Sequence, residues 1–353
     1  MIKSHLSKIN RTSQYNRDRS SFLRLDANER VIPFNKKTVN DLKRIINNNI
    51  LQSYPSNPKK LVSLIAKNEN INKKYISLVP GSDSAIKYMF EIFSGTKSKV
   101  ITLSPTYGMI NVYSKIYQLK LIKVYENEIS KKFFSNAIYK KSSFLYIANP
   151  NQPSGWTINK KLIHKIIKKA YSKKKYIIVD EAYIDFSKQE SCTKLVNKYK
   201  NLIILKTFSK SMGIAGLRIG YIICHPNISK MINSVRSIFD ISHFSIEVAE
   251  YFLKRKSLLK DYLSEIKKSK KFVEKECLKR NLNFLNTDAN FFHIFLSNKK
   301  IKDISNFLSK KKILVKSKHS KGFDVLKNSL RMTYGSRKQM SYFFKQFDKV
   351  YYN

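Results

Sequence analysis

Acidic side chains are scarce in this chain. Its 353 residues hold 24 Asp and Glu against 69 Lys and Arg, a formal net charge of +45. Two readings of that imbalance stand. One is an anionic partner, such as nucleic acid, anionic lipid or a phosphorylated substrate. The other is a codon bias towards Lys, Asn, Ile, Tyr and Phe, all of which are abundant. The basic residues are spread out, in patches such as KKLIHKIIKK (160–169) and KKSKK (267–271), which on a helix form solvated faces. No nucleic-acid motif accompanies them, so a nucleic-acid partner is not expected.

Cysteine is rarer still. Cys192, Cys224 and Cys277 form no C-x-x-C pair and no even framework, which excludes a disulfide-stapled fold and points to a reduced, cytoplasmic setting. Neither they nor His5, His164, His225, His243, His293 and His319 have metal-ligand spacing, so no metal is expected. No apolar run approaches the ~18–20 residues that span a membrane. The start, MIKSHLSKIN, has no continuous apolar segment of the secretory kind. No period of 20–50 residues repeats, which excludes a solenoid or propeller. What remains, with 42% hydrophobic and 12% aromatic residues, is a folded chain with material for a large domain and a smaller one.

Between about residues 75 and 225, short apolar runs alternate with helical patterns. KVITL (99–103), FLYIA (144–148), YIIVD (176–180), LIILK (202–206) and IGYII (219–223) are β-branched or aromatic and scarcely alternate, as strands buried on both faces do. SAIKYMFEIF (84–93) and KKLIHKIIKKAY (160–171) have helical periodicity. That order predicts an α/β protein with a mostly parallel sheet. Beyond residue 228, Lys-rich amphipathic helices (228–280) precede short strands at 290–296 and 312–317, then LRMTYG and a final helix, predicting a smaller α+β domain. The expected division is an arm and helix joining the small domain (1–45), a large domain (46–235) and a small C-terminal domain (236–353).

In doubly wound sheets, ligands sit outside the carboxyl ends of parallel strands, and four loops there have unusual content. GSD (81–83) opens a helix; its backbone N–H groups suit a phosphate, or the triplet is a plain N-cap. NPNQPSG (149–155) is a turn fixed by two prolines and a glycine, either holding amide side chains in place or serving only as a tight loop. Asp180 ends an apolar run, where a carboxylate is costly unless a cation or proton meets it. Tyr183 follows within reach of the same cleft. In a chain of nine glycines, KTFSKSMGIAGLRIG (206–220) gathers Gly213, Gly216 and Gly220 beside Thr207, Ser209, Lys210 and Arg218. A partly desolvated lysine can attack a carbonyl, and an arginine suits a bidentate grip on an anion.

Together these segments resemble the fold-type I pyridoxal-phosphate enzymes, most closely the histidinol-phosphate aminotransferase group. The resemblance runs in family order from LDANE (25–29) through YP (54–55), GSD, PTY (105–107), NPNQPSG, DEAYIDF (180–186) and SKSMGIAGLRIG (209–220) to LRMTYG (330–335). It implies a mostly parallel, seven-stranded large domain, pyridoxal phosphate as cofactor, and amino-group transfer. Lys210 would anchor the cofactor and move the proton between the substrate α-carbon and the cofactor C4′. Asp180 would keep the pyridine nitrogen protonated, and Tyr183 would hydrogen-bond the phenolic oxygen. Main-chain groups of Ser82 and Asp83, with Thr207, Ser209 and Arg218, would hold the phosphate, while Tyr107 stacks on the ring. Tyr54 would reach the phosphate of the neighbouring subunit, making the active unit a homodimer. Arg331 would hold a substrate carboxylate, and Asn28 and Asn290 would support the substrate side.

The sequence also departs from the family. Gln152 stands where the family has Asn before the second proline of the turn, so either Gln152 or Asn151 contacts the phenolic oxygen. Lys316, a point charge rather than a fork, stands near where histidinol-phosphate enzymes carry another arginine. LDANER runs on into VIPF, without the prolines that usually follow closely. The expected activity moves an amino group from a donor such as L-glutamate to a keto acid or small phosphorylated carbonyl compound. The alternatives are a decarboxylase of threonine or serine phosphate, which breaks a different α-carbon bond, and a non-catalytic nucleic-acid-binding relative.

Overall fold

The computed structural model describes residues 4–9, 18–55, 58–95, 98–140, 142–317 and 326–352. Its strands are β1 (Leu23–Arg24), β2 (Ile76–Val79), β3 (Lys99–Ser104), β4 (Lys120–Tyr125), β5 (Phe144–Ala148), β6 (Tyr176–Asp180), β7 (Leu202–Thr207), β8 (Gly220–Cys224), β9 (Phe284–Asn286), β10 (Phe291–Phe295), β11 (Ile313–Leu314) and β12 (Ser329–Thr333). Seven build one sheet in the order β2-β8-β7-β6-β5-β3-β4. It is parallel except at β8, which runs antiparallel to both β2 and β7. The chain is thus the α/β protein that the apolar runs predict.

Alternate residues of each strand feed opposite cores, as the period of two requires. Ile101, Leu145, Ile177, Val179, Leu202 and Ile204 face one layer, shared with helices Lys59–Glu69, Lys160–Ser172 and His243–Lys254. Val100, Phe144, Tyr146, Ile178, Ile203 and Leu205 face the other, with helices Gly81–Phe93, Gly108–Ile116 and Pro226–Val235. Two strands lie outside the predicted set. β4 is a sheet edge on which Val124 alone is fully buried, so its polar sequence hides it. β2 is buried but only four residues long.

A three-stranded antiparallel sheet, β12-β10-β9, has its own core with helices Lys256–Lys279, Asn298–Lys310 and Arg337–Tyr351. β1 pairs in parallel with β11, tying the N-terminal segment to this part. The strand expected over 312–317 is reduced to β11, with Lys316 adding a single bridge to Arg331. The helical stretch 228–280 is broken at Arg236, whose backbone is extended, and at Arg255. His319 falls outside the described residues. Among those described, no helix is long and apolar enough to cross a membrane.

Candidate active site

The sheet topology brings the candidate residues to one edge. Asp180 closes β6 beside Ala148 of β5 and Leu205 of β7. Thr207, the last residue of β7, lies opposite Gly220, the first of β8, and Gly220 is also opposite Val79. Because β8 is reversed, its start joins the ends of its neighbours and carries Arg218 there. A Cβ on Gly220 would sit 2.6 Å from the Lys206 carbonyl and 3.2 Å from the Gly81 Cα. Only glycine lets the two backbones close in this way.

Helix Gly81–Phe93 starts after Pro80 with no side-chain cap, so the N–H groups around Ser82 and Asp83 face the edge unsatisfied. Gly81 has φ +80°, and a Cβ there would lie 2.9 Å from Nη2 of Arg218. The guanidinium therefore spans the helix start, braced by an Nη1 hydrogen bond of 3.0 Å to the Ala215 carbonyl. Thr207 Oγ1 accepts the Ser209 N–H at 3.1 Å, and Ser209 is buried. The Asp83 carboxylate accepts the hydroxyls of Tyr113 at 3.0 Å and Tyr107 at 3.5 Å. Burial, reinforced by Asp83, Tyr183 and other neighbours, pushes the Tyr107 hydroxyl above the ordinary tyrosine range, so that it stays a neutral donor.

Asp180 is 6% exposed. Its carboxylate accepts the Tyr146 hydroxyl at 2.7 Å and the Ala182 N–H at 3.0 Å. Burial raises its pKa above the ordinary carboxylate value, and the two hydrogen bonds and the charge of Lys210 oppose that rise. Lys210 Nζ donates to the Asn28 carbonyl at 3.2 Å and lies 5.5 Å from the Tyr183 ring centroid. Asn28 is the hub of this region: φ is +55°, its N–H donates to Thr333 Oγ1 at 3.0 Å, and its Nδ2 donates to the Tyr183 hydroxyl at 3.1 Å. The same Asn28 carbonyl accepts Asn290 Nδ2 at 3.1 Å. One asparagine thereby joins Lys210, Tyr183 and Asn290.

Arg331 is buried, with Nη2 donating to the Asp26 carbonyl at 2.9 Å. The backbones of Lys316 and Arg331 exchange hydrogen bonds of 3.0 and 2.9 Å. Burial and the charge of Arg331 hold the Lys316 ammonium below the ordinary lysine range. In the NPNQPSG turn, Asn151 Nδ2 donates to the Pro105 carbonyl at 2.8 Å and to Ser154 Oγ at 2.9 Å. Asn151 Oδ1 and Gln152 Oε1 are buried with no partner, as are Asn28 Oδ1 and Thr106 Oγ1. Tyr54 stands apart on the surface, 73% exposed and stacked on Phe239 at 4.4 Å.

Sequence reasoning missed several groups. Tyr146 looks like an apolar member of FLYIA, yet its hydroxyl caps Asp180. On the opposite face of the sheet, Lys206 Nζ bonds both Glu69 carboxylate oxygens at 3.0 and 2.9 Å and pairs with Glu181 at 3.6 Å. Tyr221 donates to Glu69 at 2.7 Å, while Ser191 and the Cys192 N–H donate to Glu181 at 2.5 and 2.6 Å. A lysine inside the apolar run LIILK was the available signal.

Comparison with known proteins agrees with this geometry. The family model for aminotransferase class I and II matches residues 20–347. A histidinol-phosphate aminotransferase of Clostridium novyi is 31% identical over 324 residues, 90% of this chain and 88% of the relative. A dihydroxyacetone phosphate transaminase of Campylobacter jejuni is 30% identical over 339 residues, 93% of this chain and 90% of the relative. Among solved structures, histidinol-phosphate aminotransferase from Sinorhizobium meliloti in complex with pyridoxal 5′-phosphate superposes with a TM-score of 0.82 at 18% identity, covering 93% of this chain and 90% of that one. Matched along nearly its whole length, the chain belongs to the class I and II aminotransferase family and is a pyridoxal-phosphate-dependent aminotransferase of fold type I.

Proposed function

We propose that Lys210 is the covalent anchor of the cofactor. In this reading the enzyme is a homodimer that takes an amino group from L-glutamate and passes it to a small phosphorylated carbonyl compound. The observation that carries it is the meeting of Lys210 Nζ and the Tyr183 hydroxyl at Asn28, within electrostatic reach of a buried Asp180 carboxylate.

The residues fit the cofactor. A carboxylate made costly by burial and without an ion-paired lysine or arginine among the described residues suits a protonated ring nitrogen. An uncapped helix start spanned by a guanidinium suits a phosphate. Bound there, pyridoxal phosphate supplies an electron sink for the pair left on the substrate α-carbon. The chain does the rest. Lys210 Nζ would take the proton from the α-carbon and return it at C4′, while Asp180 would hold the ring nitrogen protonated. Arg218, Thr207, Ser209 and the N–H groups of Ser82 and Asp83 would grip the phosphate, and Tyr107 would cover the ring. Tyr183 donates to the phenolic oxygen. Gln152 joins it there rather than Asn151, because both N–H bonds of Asn151 Nδ2 are already taken by Pro105 and Ser154.

On the substrate side, Arg331 and Lys316 receive an anion, and Asn28 and Asn290 fix the wall beside it. A phosphorylated acceptor suits the basic chain and agrees with the substrates named for its relatives. Those relatives are transaminases, which favours amino transfer over decarboxylation of a phosphorylated amino acid. Tyr54 serves the partner subunit: it is exposed and stacked on exposed Phe239, an aromatic pair of the kind that a second chain covers. Three buried free cysteines fit a reducing, cytoplasmic compartment.

The test is an absorbance spectrum of the purified protein with pyridoxal phosphate, before and after L-glutamate. A visible band of lysine-bound cofactor that gives way to the near-ultraviolet amine form is expected. A band that forms but ignores glutamate would move the donor assignment elsewhere. No band at all would end the reading.

A further inference from the structure

We infer that Arg30 is an oxyanion receptor and a specificity-determining residue of the cleft, taking the side-chain anion of the amino substrate. This rests on the amino-transfer reading above and deepens it.

Arg30 lies two residues beyond Asn28, in the segment that carries the hub of the site. Its guanidinium carbon lies over two rings, 4.1 Å from the Phe34 centroid and 4.2 Å from that of Tyr262. Nε donates to the Ile32 carbonyl at 2.8 Å, while Nη1 and Nη2 make no hydrogen bond or ion pair with the described residues. The nearby acids are committed elsewhere: Arg19 pairs with Asp26 at 2.6 Å and with Glu29 at 2.8 Å. The stem of Arg30 lies over Gly213, three residues after Lys210. A Cβ on that glycine would come within 2.3 Å of the Arg30 Cδ. Arg30 thus touches the Lys210 loop and follows Asn28, whose carbonyl accepts Lys210 Nζ.

A guanidinium lying over two rings has lost rotational freedom and part of its hydration. Its remaining capacity is the edge, where two parallel N–H bonds match a carboxylate or a phosphate. A purely structural clamp has no need of that edge, and a half-buried cation without a counter-ion is a standing cost, of the kind retained where function uses it. The need is also specific. An amino substrate bearing a side-chain anion carries two negative groups, and Arg331 with Lys316 supplies one receptor. The segment from Asp26 to Arg30 holds Arg331 through the Asp26 carbonyl at one end and presents Arg30 at the other, with Asn28, which accepts Lys210 Nζ, between the two ends.

The experiment compares the holoenzyme with its Arg30→Met and Arg30→Lys variants in single half-reactions. Loss of the visible band is followed with L-glutamate, O-phospho-L-serine and L-alanine. Arg30→Met is expected to lose roughly 10- to 100-fold in second-order rate constant with a donor bearing a side-chain anion. Alanine should change by less than about twofold, and Arg30→Lys should recover part of the loss. A loss confined to glutamate identifies a carboxylate as the ligand, and one confined to phosphoserine identifies a phosphate. An equal loss on all three donors makes Arg30 a clamp and overturns the inference, as does no loss. Should Arg30→Met fold poorly, inorganic phosphate decides on the wild type: it must slow glutamate or phosphoserine more than alanine, and equal inhibition overturns the inference. A wild type inert towards every donor would overturn the amino-transfer reading, and this inference with it.

Discussion

Two clusters flank the same strands of the large sheet, built from the same kinds of side chain. One holds Lys210, Asp180 and Tyr183; the other holds Lys206, Glu181, Glu69 and Tyr221. Asp180 and Glu181 are neighbours in sequence, yet they serve opposite faces because successive residues alternate. In the second cluster every polar side chain has found a partner: Lys206 meets two carboxylates, and these take Tyr221, Ser191, Thr193 and the Cys192 N–H as well. Burial pulls the Lys206 pKa down, but Glu181, Glu69 and Asp185 carry it above the ordinary lysine value. In the first cluster, among the described residues, Asn28, Asn151 and Gln152 keep buried oxygens without partners, and Asp180 has no ion-paired cation. A closed network stabilises a fold. An open one waits for a ligand, and that contrast, more than residue type, separates scaffold from site.

The contrast can be broken from either side. Lys210→Ala should have the largest effect, removing amino transfer by at least roughly 10²–10⁴-fold while the thermal midpoint of the apoprotein barely moves. A protein that retained turnover would deny Lys210 its role. Lys206→Met should do the reverse. It leaves two buried carboxylates without their cation, a loss of about 3–5 kcal/mol readable by urea unfolding, while the folded protein still forms the cofactor band. Unchanged stability would mean that the second cluster is not structural. The smallest effect sharpens the comparison. A carboxyl whose pKa is raised by folding favours the folded state below its unfolded value, and that contribution is lost as pH rises through the folded one. Asp180→Asn should therefore raise the melting temperature of the apoprotein at neutral pH, with the gain fading as pH falls below the ordinary carboxylate range. No gain at neutral pH would mean that burial does not strain this carboxylate.

How much of this was legible in the sequence depended on range. The central strands were readable because both faces are buried and their apolar runs are unbroken; polar β4 at the edge was not. Asp180 stood out as a carboxylate ending an apolar run, and Lys210 and Arg218 because they share the link between two strands with scarce glycines. Tyr146 gave no local signal, and the lysine of LIILK marked Lys206 without naming its partner Glu69, 137 residues away. Arg30 was equally invisible, since its setting combines neighbouring Phe34 with Gly213 and Tyr262 from two distant segments.

Asn28 has a further consequence for how the protein comes into being. Its N–H is fixed by Thr333, 305 residues later in the chain. At about 5–20 residues per second, a ribosome needs roughly 15–60 s between making the two. From the making of Lys210 onward, Asn28, Asp180 and Lys210 all exist on the nascent chain without the contact that seats the first. A message cut short between Lys210 and Thr333 therefore yields a product that bears Asn28, Asp180 and Lys210 but lacks the residue that anchors the first.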